Sequence, residues 1–186
     1  MRRLGVGILV AAFAALWLAG PSAWAHQRGW PGKRLSQTYP EAVKFTSRQA
    51  GLSAEQIGRI EQALGERVEA ESRAPTFYPA FDKAGEKIGF VLFADQAGEN
   101  GPIEMGVAID KEGRAKHVIL FSSREDRKIS QPPFLDQFNG KSVKDTFKVG
   151  RDITPVAGAE KASQAVANGV RKVLLIKQEV FGEQVP

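Results

Sequence analysis

The chain has 186 residues, 26 Lys and Arg against 21 Asp and Glu, a formal charge of +5 and no cysteine. Without cysteine there are no disulfides, no thiolate-ligated iron–sulfur clusters and no c-type haem attachment, so any redox role would rest on a cofactor held by other chemistry. The positive excess forms no basic block, which argues against a nucleic-acid partner.

Arg2 and Arg3, the apolar run Leu4 to Leu18, the break at Gly20-Pro21 and the small-x-small Ala23-Trp24-Ala25 read as a signal peptide over residues 1–25. The apolar run is short of the roughly 20 residues of a full membrane span. The expected location is periplasmic or otherwise exported, with a membrane anchor only if this segment is retained. Removing it takes away two cations and no acids and leaves 161 residues at +3, enough for one domain with its own core.

Residues 26–50 read as a leader followed by a short helix. His26 to Lys33 is loose in composition, and Ser36 to Phe45 is a candidate helix with Tyr39, Val43 and Phe45 available for packing. The domain proper is expected over 51–186. Ser53 and Gln56 have the spacing of a capping box, and Ile57, Ile60, Leu64 and Val68 follow at three- and four-residue intervals, predicting an amphipathic helix to about Arg73, stopped by Pro75. Thr76 to Phe81, Lys87 to Ala94, Ile103 to Asp110 and Ala115 to Ser122 are strand-like. Gln96 to Pro102 reads as a loop and Lys111 to Arg114 as a hairpin turn. Short connections between four strands predict an antiparallel sheet.

Ser123 to Ser130 is a charged excursion ended by Pro132-Pro133, and Phe134 to Phe138 is one helical turn burying Phe134, Leu135 and Phe138. From Ala159 to about Gln178, Ala162, Val166, Val170, Val173 and Leu174 share one helical face. The predicted class is α+β: an antiparallel sheet of about four or more strands packed by an N-terminal helix and a long C-terminal helix.

One ordered set of short motifs carries a resemblance. Gly101-Pro102-Ile103, Val107-Ala-Ile-Asp110-Lys-Glu-Gly113, Arg124-Glu125, Phe134-Leu-Asp-Gln-Phe138-Asn-Gly140-Lys141, Arg151-Asp152-Ile153 and Gly158-Ala159 follow in the order seen in periplasmic FMN-binding domains. The chain resembles that family from about Glu86 to Lys177, and so is similar to the flavin subunits of Rnf- and Nqr-type electron-transfer complexes and to the flavin domain of the nitrous-oxide-reduction regulator. The resemblance implies an electron carrier or accessory protein rather than a stand-alone enzyme. It also implies FMN joined by a phosphoester to a threonine, a flavin transferase that installs it, and a periplasmic or inner-membrane redox protein as partner.

The same resemblance places the cofactor-binding set at Asp152, Ala157, Gly158, Ala159, Glu160 and Ser163, and there the pattern departs. Glu160 stands where the acceptor threonine is expected, and Ala157 replaces the preceding hydroxyl residue. Covalent attachment at residue 160 is therefore not expected. A bland first-turn carboxylate, noncovalent FMN in the same cleft and attachment at Ser163 are the open readings. A flavin-free binding or assembly module of a periplasmic redox complex is the alternative function. Asp152 would either orient the transferase's reactive phosphate or cap its own turn.

Phe77, Tyr78, Phe81, Phe90, Phe93 and Phe121 would form either a flavin-stacking face or core. The two histidines, His26 and His117, raise copper ligation by a new N-terminal His26, but the predicted metal set is empty. Gly140-Lys141-Ser142 lacks the earlier glycine of a phosphate-binding loop.

Overall fold

The computed structural model of the chain describes residues 30–182; the signal segment and His26 lie outside them. Among the described residues there are four helices, α1 (Gly32–Thr38), α2 (Ala54–Leu64), α3 (Pro132–Leu135) and α4 (Glu160–Phe181), with short 3-10 turns at Ala70–Arg73, Arg127–Ser130 and Asp136–Phe138. Six strands, β1 (Lys44–Phe45), β2 (Arg48–Gln49), β3 (Thr76–Phe81), β4 (Lys87–Ala97), β5 (Pro102–Asp110) and β6 (Ala115–Ser122), make one sheet in the order β1-β3-β4-β5-β6, with β2 also on β3. All strand pairings are antiparallel. This is the predicted α+β class.

Both faces of the sheet are covered, and the two-residue period of the strands sorts the side chains between them. Phe90, Leu92, Met105, Val107, Ile109 and Val118 point to one face and pack beneath α4 through Val166, Val170, Val173 and Leu174. Each fully buried aliphatic of this kind contributes about 1.5–3 kcal/mol, so α4 is held far more by this face than by helix propensity. On the other face Tyr78, Ala80, Val91, Phe93 and Ala108 meet Leu35, Tyr39 and Ala42. Helix α1 can lie this close because β5 carries Gly106, where a Cβ would sit 2.6 Å from the Thr38 hydroxyl and 2.9 Å from the Phe121 ring.

Local sequence signals and tertiary packing disagree in four places. The helix expected over Ser36 to Phe45 instead spans Gly32–Thr38. Tyr39 is buried as anticipated and donates its hydroxyl to the Ile88 carbonyl at 2.8 Å, whereas Val43 is exposed and Phe45 lies in β1. The reason is the sheet: Val43 and the strands after it pair along β3, which ends the helix early.

The capping box of α2 forms as read, Gln56 N–H to the Ser53 hydroxyl and Ser53 N–H to the Gln56 amide oxygen. The helix then ends at Leu64, not near Arg73, because Gly65 takes a left-handed conformation at φ 76°. Val68 is buried all the same, from a non-helical backbone. The expected loop Gln96 to Pro102 shrinks to residues 98–101, with Gln96, Ala97 and Pro102 still paired. Finally, the charged excursion ends before Pro132 and Pro133 as expected, but the helical turn begins at those prolines, where a missing N–H costs nothing, and not at Phe134.

Candidate functional site

Helix α4 starts at the end of the sheet where β4 hands over to β5 and β6 leaves. Lys161 reaches Glu99 of the β4–β5 turn at 2.8 Å, and Glu125 accepts from the backbone N–H and side-chain amide of Asn100 at 2.6 and 2.8 Å. Arg124 runs beside Gly101. The motif segments around Gly101, Arg124-Glu125 and Gly158 are thus brought together by the fold although they are scattered along the chain.

The turn into α4 is made by Val156 to Ala159, closed by the Ala159 N–H on the Val156 carbonyl at 3.0 Å. Gly158 adopts φ 78°, and a Cβ there would meet nothing within 4 Å, so its backbone faces open space. Ala159 is the N-cap and offers no side-chain acceptor. The free N–H groups of a helix start attract an anion, and here the chain supplies one: Glu160 accepts from its own backbone N–H and from the Gly158 N–H at 3.0 Å. These two bonds hold its carboxyl below the ordinary glutamate value, against a slight opposing effect of burial.

Ser163 is fully buried, and both capacities of its hydroxyl are used. It donates to the Ala159 carbonyl at 2.8 Å and accepts from the Val156 N–H at 3.0 Å, stapling the turn to the helix. Ala157 is exposed and Ala159 buried, and neither has a hydroxyl.

Asp152 is the hub of the loop before α4. Its carboxylate accepts from the Thr146 hydroxyl at 2.6 Å, the N–H groups of Phe147 and Lys148 at 3.0 and 2.7 Å, and the Lys141 ammonium at 3.3 Å. Burial opposes its ionisation; the Thr146, Lys148, Phe147 and Lys141 donors outweigh it and hold the carboxyl well below its ordinary value of 3.8. The knot keeps Phe147 at φ 54°, buried and stacked on Phe138 at 6.3 Å. A non-glycine residue in that region costs about 1–3 kcal/mol, sustained only when its surroundings over-determine it. Of the two roles open to Asp152, the turn-holding one is visible here.

One group of site residues escaped the sequence reading. Gln164 accepts from the Val149 N–H and donates to the Phe147 carbonyl and to Asn168. Asn168 and Gln96 both donate to Glu66, and the buried Lys172 pairs with Glu69 at 2.7 Å. The signal was the four-residue spacing of Gln164, Asn168 and Lys172, a polar stripe beside the apolar one on the same helix.

The candidate stacking aromatics are divided between the two covered faces. Phe77 and Phe90 pack with Phe181 of α4 at 4.8 and 4.9 Å. Tyr78, Phe93 and Phe121 cluster on the α1 side, with the Arg34 guanidinium 4.5 Å above the Phe121 ring. His117 lies 3.3 Å from the Thr38 carbonyl through Nδ1, and no group of three or more metal-ligating side chains occurs among the described residues. None of the described helices is long and apolar enough to cross a membrane.

The residues present do not fit a covalently attached flavin. The position at which the resemblance would put an acceptor carries a carboxylate already bonded to the turn, and the next hydroxyl along the helix is sequestered. No protein-family model matches the chain, and no curated protein matches it. Among solved structures it is similar to the crystal structure of Shewanella oneidensis NqrC, with a TM-score of 0.47 and 16% identity over 77% of this chain and 73% of that one.

Proposed function

We propose that this chain is an exported accessory module of a redox complex, built on an FMN-binding type of domain that has given up covalent flavin. Its work is to bind a periplasmic or membrane-bound redox protein. The observation that carries the reading is the closure of Glu160 onto Gly158 at the start of α4. The chain's own carboxylate fills the place that the resemblance assigns to a phosphoester, with Ser163 buried behind it. The ordered motifs in Gly101-Pro102, Arg124-Glu125 and Gly158-Ala159 converging on that one end support descent from a site rather than chance likeness.

The test is the intact mass of the exported protein after co-expression with a flavin transferase. An unmodified mass is expected, together with a colourless native protein. A mass increased by FMN less water would overturn the reading. Restoring the acceptor with Glu160→Thr and Ala157→Ser should then permit modification by the same transferase. A double variant that stays unmodified would mean that more than the acceptor has changed.

A second reading, noncovalent FMN at the same turn, is favoured by one observation: Gly158 and Ala157 are exposed and the Cβ side of Gly158 is open, so a phosphate that displaces the Glu160 carboxylate has room to approach. In that case the native protein has a flavin spectrum that denaturation and desalting remove.

A further inference from the structure

A cleft of about 440 Å³ opens at the opposite end of α4, well away from Glu160. From residue 160 to residue 178 the helix rises by roughly 27 Å at about 1.5 Å per residue. Three separate parts of the chain build its walls: the β5–β6 turn with Lys111, Glu112 and Arg114, the loop carrying Lys144, and the last turns of α4 with Lys177 and Gln178. Four cations and one carboxylate therefore line it.

The fold accounts for only one of those cations. Lys177 is buried and donates to the Gly182 carbonyl at 3.0 Å, satisfying the end of the helix. Lys111 approaches Glu86 only at 3.9 Å between two exposed side chains, a contact of little worth in water. Arg114 and Lys144 form no side-chain ion pair among the described residues, and both are exposed. The wall also leaves an acceptor over: Oε1 of Gln178 is buried without a hydrogen-bond partner. Cations converging on a concave surface repel one another, and low-dielectric walls focus their field into the cleft. The volume lies within the ~300–1,000 Å³ typical of small-molecule sites. The lining holds no aromatic side chain, so nothing there would stack on a planar ring.

We propose that this cleft binds a small aliphatic anion carrying two or more negative oxyanion charges, a phosphate ester or a polycarboxylate. Arg114 offers the planar fork that grips such a group with two parallel bonds, and Lys144 and Lys111 add point charges beside it. Glu112 sets a limit on how much charge the site takes and favours a ligand that also has a hydroxyl.

The experiment is a chemical-shift titration of the ¹⁵N-labelled protein with inorganic pyrophosphate and, separately, with citrate, at about 150 mM salt so that long-range attraction is screened. Saturable shifts confined to residues 111–114, 142–144 and 174–178 are expected with at least one probe. Pyrophosphate alone would assign a phosphate ester, citrate alone a polycarboxylate. Arg114→Ala with Lys144→Ala should weaken binding at least about tenfold, the worth of one good charged contact, without lowering the melting temperature. Lys144→Arg should retain binding. Absence of saturable shifts with both probes, shifts scattered over the surface, or undiminished affinity in the double variant would overturn the proposal.

Discussion

The two ends of α4 face the same physical problem and solve it differently. At its start, the N–H groups of the turn leading into the helix are met from within the chain, Gly158 by Glu160 and Val156 by the Ser163 hydroxyl. At its finish, one buried ammonium, Lys177, answers the Gly182 carbonyl, while Arg114 and Lys144 gather beside it with no pairing duty in the fold. An end where the chain's own carboxylate already sits on the turn offers a phosphate a contested place. An end with charge left over is the better place to look for a ligand. Distance along one helix, rather than likeness to a motif, separates structural from available chemistry.

The sharpest way to break that comparison is at Asp152, which we treat as internal bracing of the first end. Asp152→Ala leaves four donors without their common acceptor and should cost about 2–4 kcal/mol in urea unfolding. A loss below about 1 kcal/mol would show that the loop is held by Phe138 and Phe147 stacking and that Asp152 is free for another task. Next comes Ser163→Ala, which strands the partly buried Val156 N–H. We expect a loss of about 1–2 kcal/mol and no change in flavin content by intact mass.

Acid should dissect the same bracing. The Asp152 carboxyl is held below its ordinary 3.8, so its contribution is complete above that pH. It is lost as the pH falls toward the folded-state value, because only the unfolded chain takes up the proton there. Thermal melts of the wild type and of Asp152→Asn should differ most above pH 3.8 and draw together progressively as the pH falls below it; parallel curves would show that the carboxylate's charge is not what matters.

The smallest effect is expected at the exposed Glu160, whose carboxyl is also lowered by its bonds to backbone. Glu160→Gln should lower the melting temperature slightly at pH 7, with the difference vanishing in acid. A higher melting temperature in the variant would mean that its negative charge does not stabilise the helix start.

Parts of the candidate site are legible in the sequence alone. The stripe from Ala162 to Leu174 could be read because an amphipathic face is a local pattern, whereas Gly158 and Glu160 were singled out by the resemblance. Ser163 was legible as an alcohol one turn along, but not as a buried staple, since its partners become partners only when the Val156 turn folds back. Asp152 was ambiguous for the same reason: its donors span residues 141 to 148, and no fixed spacing announces such a loop. The basic cleft was invisible, because Arg114, Lys144 and Lys177 belong to three elements that no short-range rule brings together.

What the amino-acid order determined by itself was what depends on neighbours within a turn or two: the capping box at Ser53 and Gln56, the strand-forming run that makes β6 span Ala115 to Ser122, and the helical face of α4. Only tertiary structure decided where α1 ends, that Val68 is buried beyond a broken helix, and that Gly106 admits α1 onto the second face of the sheet. It also decided which polar groups were used up and which were left exposed. Hydrogen-bond supply and burial are settled by residues far apart in the chain, and a helix end stays incomplete until the rest of the fold either fills it or leaves it open.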